Sequence, residues 1–267
     1  MIAMDTSTQV GIEELLAWYR EAGVDEPLAA APIDRFAQVI AEPKPARRRL
    51  EPAVELPRGP APMPARTGPN IDAVAAAVAL AADAPDLQAL KTSIETFDGC
   101  SLRRTARSTL FGLGEPGSRL AIVGDVPDRD EDAEGVPFAG SGGAMLQRML
   151  GAIGVDVDDT YRLSASPWSA SGRFQLQPDD KAMLAPLLAR HVELARPELV
   201  LLMGGTATEL LLGPGPGTRS LRGRWSETTV GEHPVGVLPT FAPRLLIAQP
   251  QQKRLAWADL LRLKERL

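Results

Sequence analysis

The sequence predicts an α/β fold: a three-layer α/β/α sandwich around a short parallel sheet of about four strands. A helical N-terminal segment and a proline-rich linker precede it. Three observations carry this. Short apolar runs at 119–124, 198–204 and 235–240 have strand length and end in glycine or a turn. The stretches between them place apolar residues on one helical face. A proline- and arginine-rich passage separates everything upstream. The expected organisation is therefore 1–41 helical, 42–70 linker and 71–267 the main domain, with 71–99 as its helical lead-in.

In order along the chain, Ile12, Leu15, Leu16 and Tyr19 form one apolar stripe, and Gly23 reads as that helix's stop. Residues 42–70 hold eight prolines and six basic residues. Such a segment buries too little apolar surface to offset its ordering entropy, so an extended linker is expected. Arg47, Arg48 and Arg49 there suit either a solvated linker or DNA phosphates. Residues 71–83 are an alanine-rich helix, and a shorter helix covers 86–96. RLAIVG is a buried strand ending at Gly124. Gly142 and Gly143 lead into a helix with Leu146, Met149, Leu150 and Ile153 on one face. A helix carrying Leu184, Leu187 and Leu188 precedes the strand ELVLLMG, and VGVLPT is a further strand. A last helix over 251–265 is expected to turn Trp257, Leu260 and Leu261 inward. In parallel sheets of this kind, ligands bind beyond the C-terminal strand ends.

Composition narrows the functional classes. Charged residues make up 24% and the net charge is −5, which does not advertise nucleic-acid binding, although a local basic patch is compatible with it. No apolar run approaches the roughly 18 residues of a membrane span. The first residues are acidic where a secretory signal would be basic, so a cytoplasmic, membrane-free protein is expected. Cys100 is the single cysteine, which excludes an intrachain disulfide.

The loop after the first strand reads GDVPDRDEDAEGVPFAGSGG. Asp125 stands just past the strand, where a carboxylate can face a ligand. Pro127 stiffens the turn. Phe138 sits beside a glycine-rich turn, as a stacking ring would. GSGG before a helix suits either a phosphate cradle or close packing. Each signal is weak alone, but their order is specific. It resembles the pattern GEAPG…ED…G.PF.G..G of the family 4, iron–sulfur uracil-DNA glycosylases. Further similarities follow in order: LRRTARSTLFGLG at 102–114, Tyr161, ARPELVLLMG at 195–204, SLRGRW at 220–225, LPTFAPRLLI at 238–247 and QQKRLAWADLLRLK at 251–264. The resemblance covers roughly 97–267.

This resemblance implies a glycosylase that flips uracil out of DNA and hydrolyses its N-glycosidic bond. Asp125 would stand for the family's acidic residue near the attacking water, with a shorter reach. Gly124 and Pro127 would border the base, and Phe138 would stack on it. Ser164 falls at the family's asparagine, where an amide would read the uracil edge; serine cannot make that two-point contact. Ala242 falls at the family's histidine, which donates to the departing base. Losing such a donor typically lowers the rate on the order of 100- to 1000-fold. The four cysteine positions of the family's 4Fe–4S cluster align with Phe97, Cys100, Trp168 and Leu184. One thiolate cannot hold that cluster, so no cofactor and no metal are expected.

Activity is accordingly expected to be weak or lost. The alternative is a non-catalytic member that binds DNA or a protein. The expected partner is uracil-containing DNA, single- or double-stranded, met by a monomer. Arg222, Arg224 and Arg244 are the expected phosphate contacts, with Arg219 nearby. Leu245 or Leu246 is a candidate wedge, although core leucines are the plainer reading. His191 and His233 read as packing or surface residues.

Overall fold

The computed structural model describes residues 71–170 and 176–267. These lie in one compact unit, Pro64–Leu267. The expected helix at 12–19 and the linker at 42–70 fall outside the described residues.

The lead-in forms as read. α1 spans Ile71–Asp83 and buries Ala73, Ala77 and Ala81, a narrow stripe of small side chains. α2 spans Leu87–Thr96, with the Asp86 carboxylate accepting the Ala89 N–H at 2.8 Å as its N-cap. The remaining elements are β1 (Leu120–Gly124), α3 (Arg129–Glu134), α4 (Gly140–Ile153), β2 (Tyr161–Ser164), α5 (Pro178–Ala195), β3 (Leu199–Met203), α6 (Gly205–Leu212), α7 (Thr218–Leu221), β4 (Ser226–Val230), β5 (His233–Thr240), α8 (Pro243–Ala248) and α9 (Lys253–Lys264). Turns of 3₁₀ helix precede β2 and α9.

The strands form one five-stranded sheet in the order β2-β1-β3-β5-β4. β2, β1, β3 and β5 are parallel, and β4 closes the edge antiparallel to β5. Strand alternation sorts the core into two layers. On one face Ala121, Val123, Val200, Leu202, Val235 and Val237 meet α1, α2, α5 and α6. On the other, Leu120, Ile122, Leu199, Leu201 and Leu238 meet α4, α8 and α9. This is the expected three-layer sandwich.

Two expectations need correction. The parallel sheet gains β4, whose SETTV sequence is too polar to read as a buried strand. It needs little burial because it is an edge, and Gly231 with φ 61° turns it directly into β5. In α9, Leu260 is buried, but Trp257 and Leu261 are each 42% exposed. The inward face is Ala256, Asp259, Leu260 and Leu263. An ion pair takes Asp259 inside and rotates the helix away from the stripe chosen on hydrophobicity.

Candidate active site

Chain order reverses at β1, whose sheet neighbours β2 and β3 lie on opposite sides. A crevice beyond the ends of β1 and β3 is thus the switch point where α/β sheets place ligands. Asp125 follows β1 directly. Its Oδ1 accepts the Thr206 N–H at 3.1 Å, in the first turn of α6 beyond β3. Gly204, with φ 130°, lets the chain turn there, and a β-carbon on it would stand 2.5 Å from Asp125 Oδ2. The carboxylate therefore bridges two strand ends and binds a helix N-terminus whose N–H groups lack intrahelical partners.

Next to it, Asp128 and Glu131 form a capping box around α3. Glu131 Oε2 accepts the Asp128 N–H at 2.8 Å, and its Oε1 accepts the Phe138 N–H at 2.7 Å. Burial pushes the Glu131 carboxyl above the ordinary carboxylate range, against the pull of these two N–H groups. Phe138 has φ 58°, an uncommon backbone for a bulky residue. Its carbonyl lies where a side chain at Gly143 would stand, so the GSGG turn has a packing reason. Asp132, buried, accepts the N–H groups of Arg107 and Ser108 and ties the 102–114 segment to this loop.

Gly124, Asp125, Phe138, Ala242 and Arg244 line one cleft, together with Asp128 and Glu131. Its volume is about 30 Å3, room for a single water. Three carboxylates face one guanidinium there. Ala242 is the N-cap of α8 and offers no side-chain donor. Pro127 is buried in the turn between Val126 and Asp128. Ser164 pairs with Gly124 in the parallel register and so shares its sheet face. It borders a separate crevice with Leu110 and Ala165, and its Oγ is buried without a hydrogen-bond partner.

The arginines divide. Arg224, Arg219 and Arg244 are exposed. Arg222 is instead built into the fold: its Nε meets Asp259 Oδ2 at 3.0 Å, its Nη2 meets Oδ1 at 2.6 Å, and it also donates to the Leu255 carbonyl. Thr240 completes the set by donating to Asp259 Oδ2 at 2.8 Å. Burial raises the Asp259 pKa, and the Thr240 and Arg222 contacts oppose this. Leu245 is half-buried against the core, and Leu246 is fully buried. His191 is buried, with its Nε2 2.8 Å from the Tyr161 hydroxyl and its ring stacked on Phe111. His233 lies at the opposite end of β5, its Nε2 against the Pro197 carbonyl. Neither histidine lines the cleft. Sequence reasoning marks Gly204–Thr206 as a strand-end segment but misses Asp259. Asp259 left a signal, a lone acid within an apolar helical stripe; what Thr206 contributes is its backbone N–H, which side-chain identity does not reveal.

The four positions aligned with cluster cysteines converge. Cys100, Trp168 and Leu184 are fully buried in one hydrophobic cluster, and Phe97 packs against it. The Phe97 and Trp168 rings stack with centroids 6.3 Å apart. One thiol beside Phe97, Trp168 and Leu184, none of which can supply a thiolate, does not fit a 4Fe–4S cluster, and rings occupy this corner of the core. Among the described residues, no group of three His, Cys, Asp or Glu side chains is placed to hold a metal ion, and no helix is long and apolar enough to cross a membrane.

Comparisons with known proteins agree with this architecture. Type-4 uracil-DNA glycosylases are similar: that of Archaeoglobus fulgidus is 29% identical over 112 residues, covering 42% of this chain and 56% of that protein. That of Saccharolobus solfataricus is 22% identical over 187 residues, covering 68% of this chain and 87% of that protein. That of Thermotoga maritima is 24% identical over 162 residues, 60% and 83% of the two chains. The family model described as the uracil DNA glycosylase superfamily matches residues 111–261, from the segment before β1 into α9. Since that match takes in more than half of the sequence and every strand of the sheet, the chain belongs to the uracil DNA glycosylase superfamily.

Proposed function

We propose that this protein, as a monomer, binds uracil-containing DNA over the β1–α8 cleft, which must widen from its room for one water to admit a base, and hydrolyses the N-glycosidic bond feebly. The single observation that carries the proposal is the side-chain set of that cleft, with Ala242 opposite Asp125, Phe138 and Glu131. Glycosidic cleavage leaves negative charge on the departing base, and a preorganised donor aimed at that charge is the largest single aid to such a step. Ala242 supplies none. Asp125, Asp128 and Glu131 outnumber Arg244 and oppose a departing anion. The parts for holding DNA are better kept than those for reading the base: Phe138 supplies a ring, and exposed Arg219, Arg224 and Arg244 supply cations for phosphates of single- or double-stranded DNA, while Ser164 lacks the amide. We propose further that no iron–sulfur cluster takes part.

The second reading is a member that binds and does not cut. It is favoured by the Asp125 carboxylate, already engaged by the Thr206 N–H rather than free to orient water. Single-turnover cleavage of a uracil oligonucleotide, run beside a binding titration with uracil and thymine versions, separates the two. Slow cleavage with uracil-selective binding supports the first reading. Binding without cleavage supports the second. Rapid cleavage overturns both.

A further inference from the structure

A separate surface lies where α4, α8 and α9 meet, in a groove of about 670 Å3. Its lining is largely carbon: Met145 and Met149 from α4, Leu246 and Ile247 from α8, Trp257 and Leu260 from α9. Trp257 is 42% exposed and Ile247 44%, and Leu261, one turn beyond Trp257, continues the strip. A contiguous apolar strip of this kind marks an interaction surface more than scattered exposed side chains do. The groove's charge has one sign. Arg148, Lys253 and Arg254 line it, and no carboxylate does. Among the described residues none of the three pairs with an acid. They gather in a chain whose net charge is −5.

We infer that this groove docks an acidic, amphipathic helical segment of another protein. An apolar channel between helices takes the i, i+3/i+4, i+7 anchors of such a segment. The unbranched thioethers of Met145 and Met149 adapt to its side chains. The three cations match glutamates on its flanks and speed its approach. Nucleic acid fits the lining less well, because DNA interfaces are more polar and densely basic. The groove is also tied to the strand-end cleft. α8 begins at Ala242, which borders the cleft, and Leu246 of the same helix lines the groove. A docked segment would thus brace a wall of the cleft.

The test uses the full chain and a fluorescein-labelled helical peptide of about 18 residues, some five turns. It carries leucine and phenylalanine on one face and glutamate on both flanks. Controls are a scrambled peptide, a lysine-for-glutamate peptide and a labelled single-stranded oligonucleotide. Saturable binding of the acidic peptide is expected at about 1–100 µM. Trp257→Ala, and separately Lys253→Glu with Arg254→Glu, should each weaken it at least about tenfold, with the circular dichroism spectrum unchanged. The paired charge reversals touch only rim residues, so the test stands even if Trp257→Ala perturbs folding. No saturation at millimolar peptide, equal binding of the scrambled or lysine peptide, or indifference to the charge reversals would overturn the proposal. So would displacement of the peptide by the oligonucleotide, which would assign the groove to nucleic acid. A sedimentation dimer that the charge reversals dissociate would assign it to a second copy.

Discussion

The Phe138 ring lies against Gly124: a β-carbon at 124 would stand 3.0 Å from the ring's Cζ. The ring's place over the end of β1 depends on backbone held in the left-handed region at 138, a conformation that costs about 1–3 kcal/mol in a non-glycine residue. Glu131 supplies the restraint by accepting the Phe138 N–H. Glu131→Gln keeps one acceptor oxygen and loses the other. It should destabilise the protein by about 1–3 kcal/mol in urea denaturation and weaken binding of a uracil oligonucleotide. Unchanged values in both would show that Phe138 is held by packing alone.

Ala242→His should restore little excision by itself, because the base remains poorly held. Ala242→His combined with Ser164→Asn should restore more than the sum of the two single changes in free energy, since both act on one transition state. Asp125→Asn should then remove the gain. Single-turnover cleavage measures all of these, and strict additivity would show that 164 and 242 serve separate sites. The separate crevice bordered by Ser164 makes this a demanding test.

Arg222→Ala should lower the stability of the free protein by about 3–5 kcal/mol, because it strands a buried carboxylate. The side chain of Asp259 is 0% exposed. Exposed Arg224→Ala should change stability by no more than about 0.5 kcal/mol and should weaken DNA binding with a reduced salt slope. Thermal melts and a salt titration decide both. A stable Arg222→Ala protein with impaired DNA binding would reverse the assignment.

Protein purified without oxygen should contain no stoichiometric iron or labile sulfide, and its stability should be indifferent to chelators. Trp168→Ala should cost about 3–5 kcal/mol, the usual effect of emptying a fully buried aromatic site. Iron at one cluster per chain would contradict the first expectation. A loss below 1 kcal/mol would contradict the second.

Acid should destabilise the fold through His191. Burial lowers its pKa to about 3, whereas in the unfolded chain it returns to about 6.5. Between these values the unfolded chain binds a proton that the folded chain refuses. Stability is therefore full above about pH 6.5 and declines as pH falls, by about 1.4 kcal/mol per unit. His191→Gln can still bond the Tyr161 hydroxyl and does not titrate. Between pH 7 and pH 5 the unmodified protein should lose about 2 kcal/mol more than this variant. Parallel pH profiles would locate the acid sensitivity elsewhere.

The layers of the sandwich were legible because burial on both faces leaves near-continuous apolar runs, as in β1 and β3, and because helices such as α4 carry one clear stripe. β4 escaped because an edge strand needs no such run. The wrong face was chosen for α9 because hydrophobic periodicity cannot register a buried ion pair whose other half, Arg222, lies 37 positions away. The cleft residues Asp125, Phe138 and Ala242 were placed by order and resemblance. What Asp125 does there was not legible, because its partner Thr206 is a backbone amide, and backbone amides leave no trace in side-chain identity.

That last contact constrains the length of the acid at 125. The resemblance places a longer acid at position 125, and aspartate holds its carboxylate one carbon closer to the backbone, within reach of the α6 amide and flush against Gly204. With this side chain part of the seam between β1 and β3, lengthening it would take an acceptor from α6 and crowd a position that tolerates no β-carbon. The seam thus sets the length of the side chain at 125: a longer acid there would first require a new acceptor for α6.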